Sequence, residues 1–347
     1  MKLSKRKVIA LALAVCSIAT LSFGSLAWFT DDDSVTNDFK VAGSENANPD
    51  EIFSVDVWEG TDPDAPEQDG LTYERILPAD TLDKVAHVKN TGSYDQYIRV
   101  KITVSDAAIW QDVFNANMVP VTEFIPELDL SRIHNNMVGS YLDQQNDCFV
   151  YYLYYKEVLP YEDDPTTPED ETDMIVFEKV YISEHLDRDQ AAALTADGFQ
   201  ISVQAEAVQT EHVGATVYEA FETVGLLDET NVVNTVWVNE KNAVRDAFAA
   251  ETPYIVLDNT VDMGSIRING TTAELFLNDQ TLETASAGDT TSMVMTGVLT
   301  VSGYGNLKIG NADAEFGDLI HHDNVIRRGV NAIVKVAGVE VDLPIAN

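Results

Sequence analysis

A chain of 347 residues, 45% of them hydrophobic, is long enough for about two domains and can bury a core. Its 21 basic and 58 acidic residues give a net charge of −37. That excludes phosphate-backbone recognition, which needs clustered Lys and Arg, and favours solubility, cation binding and basic partners.

The chain opens on Lys2, Lys5, Arg6 and Lys7, continues through an apolar and small-residue run over 8–21, and loosens into Ser22, Phe23, Gly24, Ser25, Leu26 and Ala27. Basic start, apolar middle and small-residue end is the order of a secretory signal peptide. Ser25 and Ala27 stand where a signal peptidase reads small side chains, so the expected cut follows Ala27, giving a leader over 1–27. The alternative is an uncleaved anchor. From Val8 the stretch is roughly 20 residues, enough to span a bilayer, although Ser22, Gly24 and Ser25 weaken it as a firm helix. Only through an uncleaved leader does the sequence touch a membrane. Val15 before Cys16 is too large for a lipobox. With Cys16 removed, Cys148 alone remains, so an exported product would be held by core packing, metal or assembly.

Beyond the cut, Trp28 and Phe29 form an aromatic start, an acidic patch follows, and Val35, Phe39 and Val41 fall at period two with Asn37 interrupting the face. The basic start, Ala27-Trp28-Phe29-Thr30-Asp31 and the run Asn37-Asp38-Phe39-Lys40-Val41-Ala42-Gly43 together resemble the TasA and camelysin (CalY) family of Gram-positive bacteria. Leaders of that family are cut by a dedicated SipW-type signal peptidase.

Ile52–Trp58 reads as a strand with Phe53, Val55 and Val57 on one face, and the acidic, proline-bearing 60–70 as a loop. Thr81–Lys89 is the next strand, with a turn at Asn90, Thr91, Gly92 and Ser93. Tyr97–Val104 alternates cleanly: Ile98, Val100, Ile102 and Val104 face in, and Arg99, Lys101 and Thr103 face out. The stretch Leu82 to Val100, with its Val88-Lys89-Asn90-Thr91-Gly92 turn, is also similar to the same family. Asp106–Phe114 is predicted as a short helix capped by Asp106, with Ile109, Trp110 and Val113 on one face. Cys148–Leu159 is a long aromatic strand in which Cys148 reads as a buried small hydrophobe. Tyr161–Asp173 is an acidic loop and Met174–Ile182 a strand. Asp187–Ala196 is a helix capped by Asp187 and ended near Gly198. Phe199–Gln209 is a last alternating strand, similar to the family's closing core strand.

Strands broken by short helical excursions predict a mainly all-β, two-sheet antiparallel sandwich. The resemblance sharpens this to a jelly roll over 28–213; periodicity alone leaves an immunoglobulin-like sandwich open. Residues 214–251 read as a helical connector, with helices over 218–224 and 239–250; Val244, Ala247 and Phe248 share a face of the second. Residues 252–347 form a small C-terminal β-rich domain outside the resemblance. Within it Asn269-Gly270 signals a type I′ hairpin between flanking strands.

For chemistry, the chain has no His-Glu-x-x-His helix, no Gly-x-Ser-x-Gly elbow and no phosphate-cradling Gly loop. Neighbouring His321 and His322 would point to opposite faces of a strand and so share a metal poorly, and Glu211-His212 reads as surface. No catalytic residue, metal site or cofactor is assigned. Calcium is the one ion weighed, at Asp62, Asp64, Glu67 and Asp69 or across Glu162–Asp173, and neither loop has EF-hand spacing.

The resemblance implies a secreted structural subunit of biofilm-matrix fibres. After cleavage the N-terminal strand carrying Trp28, Phe29, Val35, Phe39 and Val41 would add to a neighbour's sheet edge, so that the partners are further copies and other matrix proteins. Pairing of residues 28–42 within their own domain remains open. A monomeric, adhesin-like cell-surface module is the alternative reading. A camelysin-type metallopeptidase comes third, lacking the zinc motif.

Overall fold

The computed structural model describes residues 55–60, 77–161, 173–227, 231–264, 272–283 and 298–309, except Ser93 and His212, together with five short strands beyond 265 for which only the backbone is considered. The chain is mainly β, as expected. Strands β1 (Val55–Gly60), β2 (Thr81–Asn90), β3 (Gln96–Ser105), β4 (Met137–Asp143), β5 (Cys148–Leu159), β6 (Asp173–Tyr181) and β7 (Ile201–Gln209) make its first half. β1, β2 and β6 form a three-stranded antiparallel sheet. β4, β5, β3 and β7 lie side by side, antiparallel, in a second sheet.

The two sheets face one another because their strands alternate. Ile98, Val100, Ile102 and Val104 are each fully buried. They share a core with Val57 and Val88 from the small sheet and with Phe149, Tyr151, Leu153, Val203 and Ala205. The expected inward face of β3 is thus the observed one. The opposite face is not open as expected: Arg99 is only 2% exposed. Helix α1 (Ala107–Phe114) and helix α2 (Arg188–Asp197) lie along the chain between these strands, and helix α3 (Val217–Thr223) packs Val217, Ala220 and Phe221 over Tyr152 and Tyr154.

Local signals explain the ends of these elements. The side chain of Asp187 accepts from the backbone of Asp189 and Gln190, and Gln190 answers with Oε1 on the Asp187 N–H, a full capping box. Gly198, in the left-handed region at φ 80°, ends α2 where expected. Asp106 does not cap α1. It sits at φ 61° and gives no cap bond, and Asp147, from the turn before β5, accepts from Ala107 N with its carbonyl and from Ala108 N with its carboxylate. At the turn after β2, buried Asn90 donates to the carbonyls of Tyr94 and Leu159 and accepts from Gly92 N, tying three segments with one amide.

The second half departs most from expectation. Residues 214–251 hold not only helices but a strand, β8 (Val233–Val238), which pairs antiparallel with β4 and parallel with β9 (Tyr254–Leu257). From there the ladders are parallel. β12 (Thr272–Phe276) pairs with β9 and with β15 (Val298–Ser302), which pairs with β18 (Val325–Arg328). A second face stacks β10 (Val261–Asp262), β13 (Thr281–Glu283), β16 (Gly305–Ile309) and β19 (Ala332–Val336). A third stacks β11 (Ile266–Ile268), β14 (Met293–Met295) and β17 (Ile320–His321). The chain therefore coils through three faces and returns to each roughly two dozen residues further on, which is a parallel solenoid. β20 (Val339–Glu340) folds back antiparallel on β19. The expected Asn269-Gly270 hairpin is corrected: the flanking strands β11 and β12 belong to different faces and each pairs parallel with the next coil.

Inward residues of successive coils stack: Ile255, Leu275 and Leu299, then Leu257, Leu277 and Val301, with Leu282 and Leu307 from the second face. Helix α4 (Lys241–Ala249) lays Val244, Ala247 and Phe248 on this core, so the face predicted for it is the buried one and serves as a lid on the first coil. Gly305, at φ 132°, lies where a Cβ would run into the Gln280 carbonyl and Leu277 of the coil before, so only glycine lets these turns stack. Because β8 joins β4 on one side and β9 on the other, one nine-stranded sheet, β18-β15-β12-β9-β8-β4-β5-β3-β7, runs through sandwich and solenoid.

Candidate functional site

The residues expected to act in export and assembly, Ala27, Trp28, Phe29, Val35, Phe39 and Val41, lie outside the described residues. So do both acidic loops weighed for calcium, apart from Asp173, as well as His212 and His322. Asp173 opens β6, and its carboxylate meets Nδ1 of buried His87 at 3.0 Å, while the His87 ring stacks on Trp58 at 3.6 Å. Among the described residues no group of three or more His, Cys, Asp or Glu is placed to hold a metal ion. Among them, too, no helix is long and apolar enough to cross a membrane. Cys148 is buried as expected, and burial, with Asp143 nearby, pushes its thiol up to about 11.

What the fold offers an assembly partner is sheet edges. β1 is the first described strand and one edge of the three-stranded sheet; β6 is the other, and β7 ends the nine-stranded sheet. β7 is guarded from its covered face by Arg99. The guanidinium of Arg99 pairs with Glu206 on β7, donates to Tyr154 Oη at 3.0 Å and to the Leu226 carbonyl at 2.9 Å, and lies 4.5 Å from the Tyr152 ring centre and 5.0 Å from that of Phe221. Its neighbour carboxylate favours the charged form against the burial that opposes it, so this Arg is a fixed cation inside an aromatic box.

The second polar assembly was not foreseen from sequence. It forms a seam where the loop after α1 and the segment before α2 meet the outward side of β12, β15 and the turn that follows β15. Phe114 packs on Phe276 and accepts through its carbonyl from Gly303 N at 3.0 Å. Glu274, 5% exposed, takes Asn117 N–H at 3.1 Å and Ser302 O–H at 2.7 Å on one oxygen and Asn117 Nδ2 at 3.0 Å on the other. Burial raises its carboxyl, and these three donors act in the opposite direction. His185 stacks on Tyr304 at 3.4 Å and reaches Asp279 with Nε2 at 3.2 Å. Glu123, on the short turn Val121–Glu123, is half-buried, and burial followed by the charge of Asp279 lifts its carboxyl to about 8. A carboxylate at an outward strand position, as Glu274 is in β12, reads as solvent-facing in a sequence; only the partner surface, brought in from far along the chain, buries it.

Compared with known proteins, the chain matches no family model, no curated protein and no solved structure.

Proposed function

We propose that this chain is a secreted structural subunit of extracellular matrix fibres, that its sandwich is a jelly roll of the TasA and camelysin kind, and that copies join by N-terminal strand addition once a SipW-type peptidase cuts after Ala27. One observation carries the reading: β1, the first described strand, is also the edge of the narrow sheet. The segment bearing Trp28, Phe29, Val35, Phe39 and Val41 therefore leads directly into a sheet edge, the element that accepts or donates a strand. A head-to-tail contact of this kind does not close on itself and propagates as a filament. The acidic surface and the lack of a disulfide framework suit a subunit whose cohesion comes from core packing and assembly.

The test is electron microscopy and light scattering of the protein lacking residues 1–27, beside a form lacking 1–42. The longer form is expected to grow into filaments with concentration and the shorter to stay monomeric. Equal filament formation by both defeats strand addition. A second reading, a monomeric surface-binding module, draws on the solenoid, which falls outside the resemblance; a scattering mass that stays at one subunit at every concentration favours it.

A further inference from the structure

The seam between sandwich and solenoid is rich in carboxyl groups and poor in cations. Glu123 comes from the sandwich; Glu274 and Asp279 come from the solenoid. Among the described residues none of the three pairs with a Lys or Arg, and their one basic contact is His185 on Asp279. The groups facing Glu123 are Asp279, buried Tyr151 and Tyr181; Tyr254 faces Glu274; Tyr304 looks onto Asp279, Asp112 and Asp187, and Glu184 lies beside Tyr181. Nowhere in that ring is there a fixed positive charge to hold an ionised Glu123.

The turn bearing Glu123 is pinned from several sides. Tyr181 N donates to the Phe124 carbonyl at 2.8 Å, Trp237 Nε1 to Thr122 Oγ1 at 3.2 Å, and Tyr151 Oη to the Val119 carbonyl at 2.6 Å. Its carboxyl takes no hydrogen bond from the described residues. A half-buried, unbonded carboxyl on a fixed turn beside a second carboxylate is comfortable only with its proton on.

We propose that this seam is a proton-operated joint: while Glu123 holds its proton the sandwich and the solenoid close on one another, and when it ionises beside Asp279 they loosen. The carboxyl ordinarily titrates near 4.5 and stands at about 8 in the closed seam. A folded value above the unfolded one means that the closed form binds the proton more tightly. The stabilising contribution is therefore complete below about 4.5 and is lost as the pH climbs towards 8. An acidic setting locks the two modules into one body; an alkaline one frees the solenoid to move on the sandwich.

Two amides report on closure directly, since each crosses the seam: Gly303 N to the Phe114 carbonyl, and Asn117 N to Glu274. Their hydrogen-exchange protection, corrected for the intrinsic pH dependence of exchange, is measured from pH 5 to 9 beside Ile102 in the β3–β5 ladder. In the wild type both cross-seam amides are expected to lose at least about tenfold protection, since the linkage allows up to tenfold per pH unit across the window, while Ile102 holds steady. Glu123→Gln keeps the shape and cannot ionise, so its protection stays flat. Glu123→Ala, which removes the group altogether, stays flat too and serves if the amide does not fold. Protection that does not fall in the wild type, or that falls equally in both variants, overturns the joint.

Discussion

Replacing Glu274 with Ala tests whether the seam is held by polar contacts or only by the apolar pair Phe114 and Phe276. The substitution strips the acceptor from Ser302 O–H, Asn117 N–H and Asn117 Nδ2. A buried polar group left without a partner costs about 1–3 kcal/mol. Ser302 is fully buried and bears that cost in full, whereas Asn117 is exposed and recovers most of its two bonds from water. Removing the carboxylate also relieves its own unfavourable burial, the cause of its raised titration. The net is a loss of about 2–3 kcal/mol. Glu274→Gln keeps one acceptor oxygen and meets Ser302, but sets a second NH2 against Asn117 Nδ2, so it falls between wild type and Ala. Urea denaturation followed by tryptophan fluorescence gives the order, because Trp110 and Trp237 both sit in or against the core the seam closes. A loss below about 0.5 kcal/mol for the Ala variant would mean that Glu274 sits in the seam without holding it, and the reasoning from paired buried groups would fail there.

Phe248→Ala removes most of the side chain that lids the solenoid, 2% exposed among Val238, Ile255 and Leu257; a loss of about 3–4 kcal/mol by urea denaturation is expected, and a value under 1 would show the first coil does not need its lid. Cys148 is expected to resist iodoacetamide at pH 8 in the folded protein and to react at once in urea, because a thiol at about 11 carries roughly one thiolate in a thousand there; rapid native labelling, read by intact mass, contradicts its burial.

Much of the sandwich was legible because its strands are long enough for period two to declare a face. β3 and β7 each place four or more alternate residues in one core, and Asp187 with Gln190 spells a capping box outright. Asp106 shows the limit of such signals: a good capping residue in the right place lost to φ 61°, and the job passed to Asp147 from another strand. The solenoid was not legible. Strands of two to five residues show the same alternation whether parallel or antiparallel, and the coils differ in length, so no repeat stands out. β8 was hidden inside a stretch read as helical, and without β8 nothing in the sequence joins one half to the other. Arg99 looked like a surface charge on an alternating strand; the helix that covers it lies more than a hundred positions away in sequence. The seam failed to show for the same reason: Glu123, Glu274 and Asp279 are ordinary acids until folding brings them together.

The continuity of the largest sheet has a mechanical meaning. Two modules joined by a flexible linker hang from one another, and tension straightens the linker first. Here a pull between β7 and β18 acts across a series of backbone ladders, nine strands deep, with no slack segment between sandwich and coils. In a filament of such subunits, stiffness would be set by strand-to-strand bonding along the whole width of the molecule, and every copy would carry its coils at the same angle to the fibre axis.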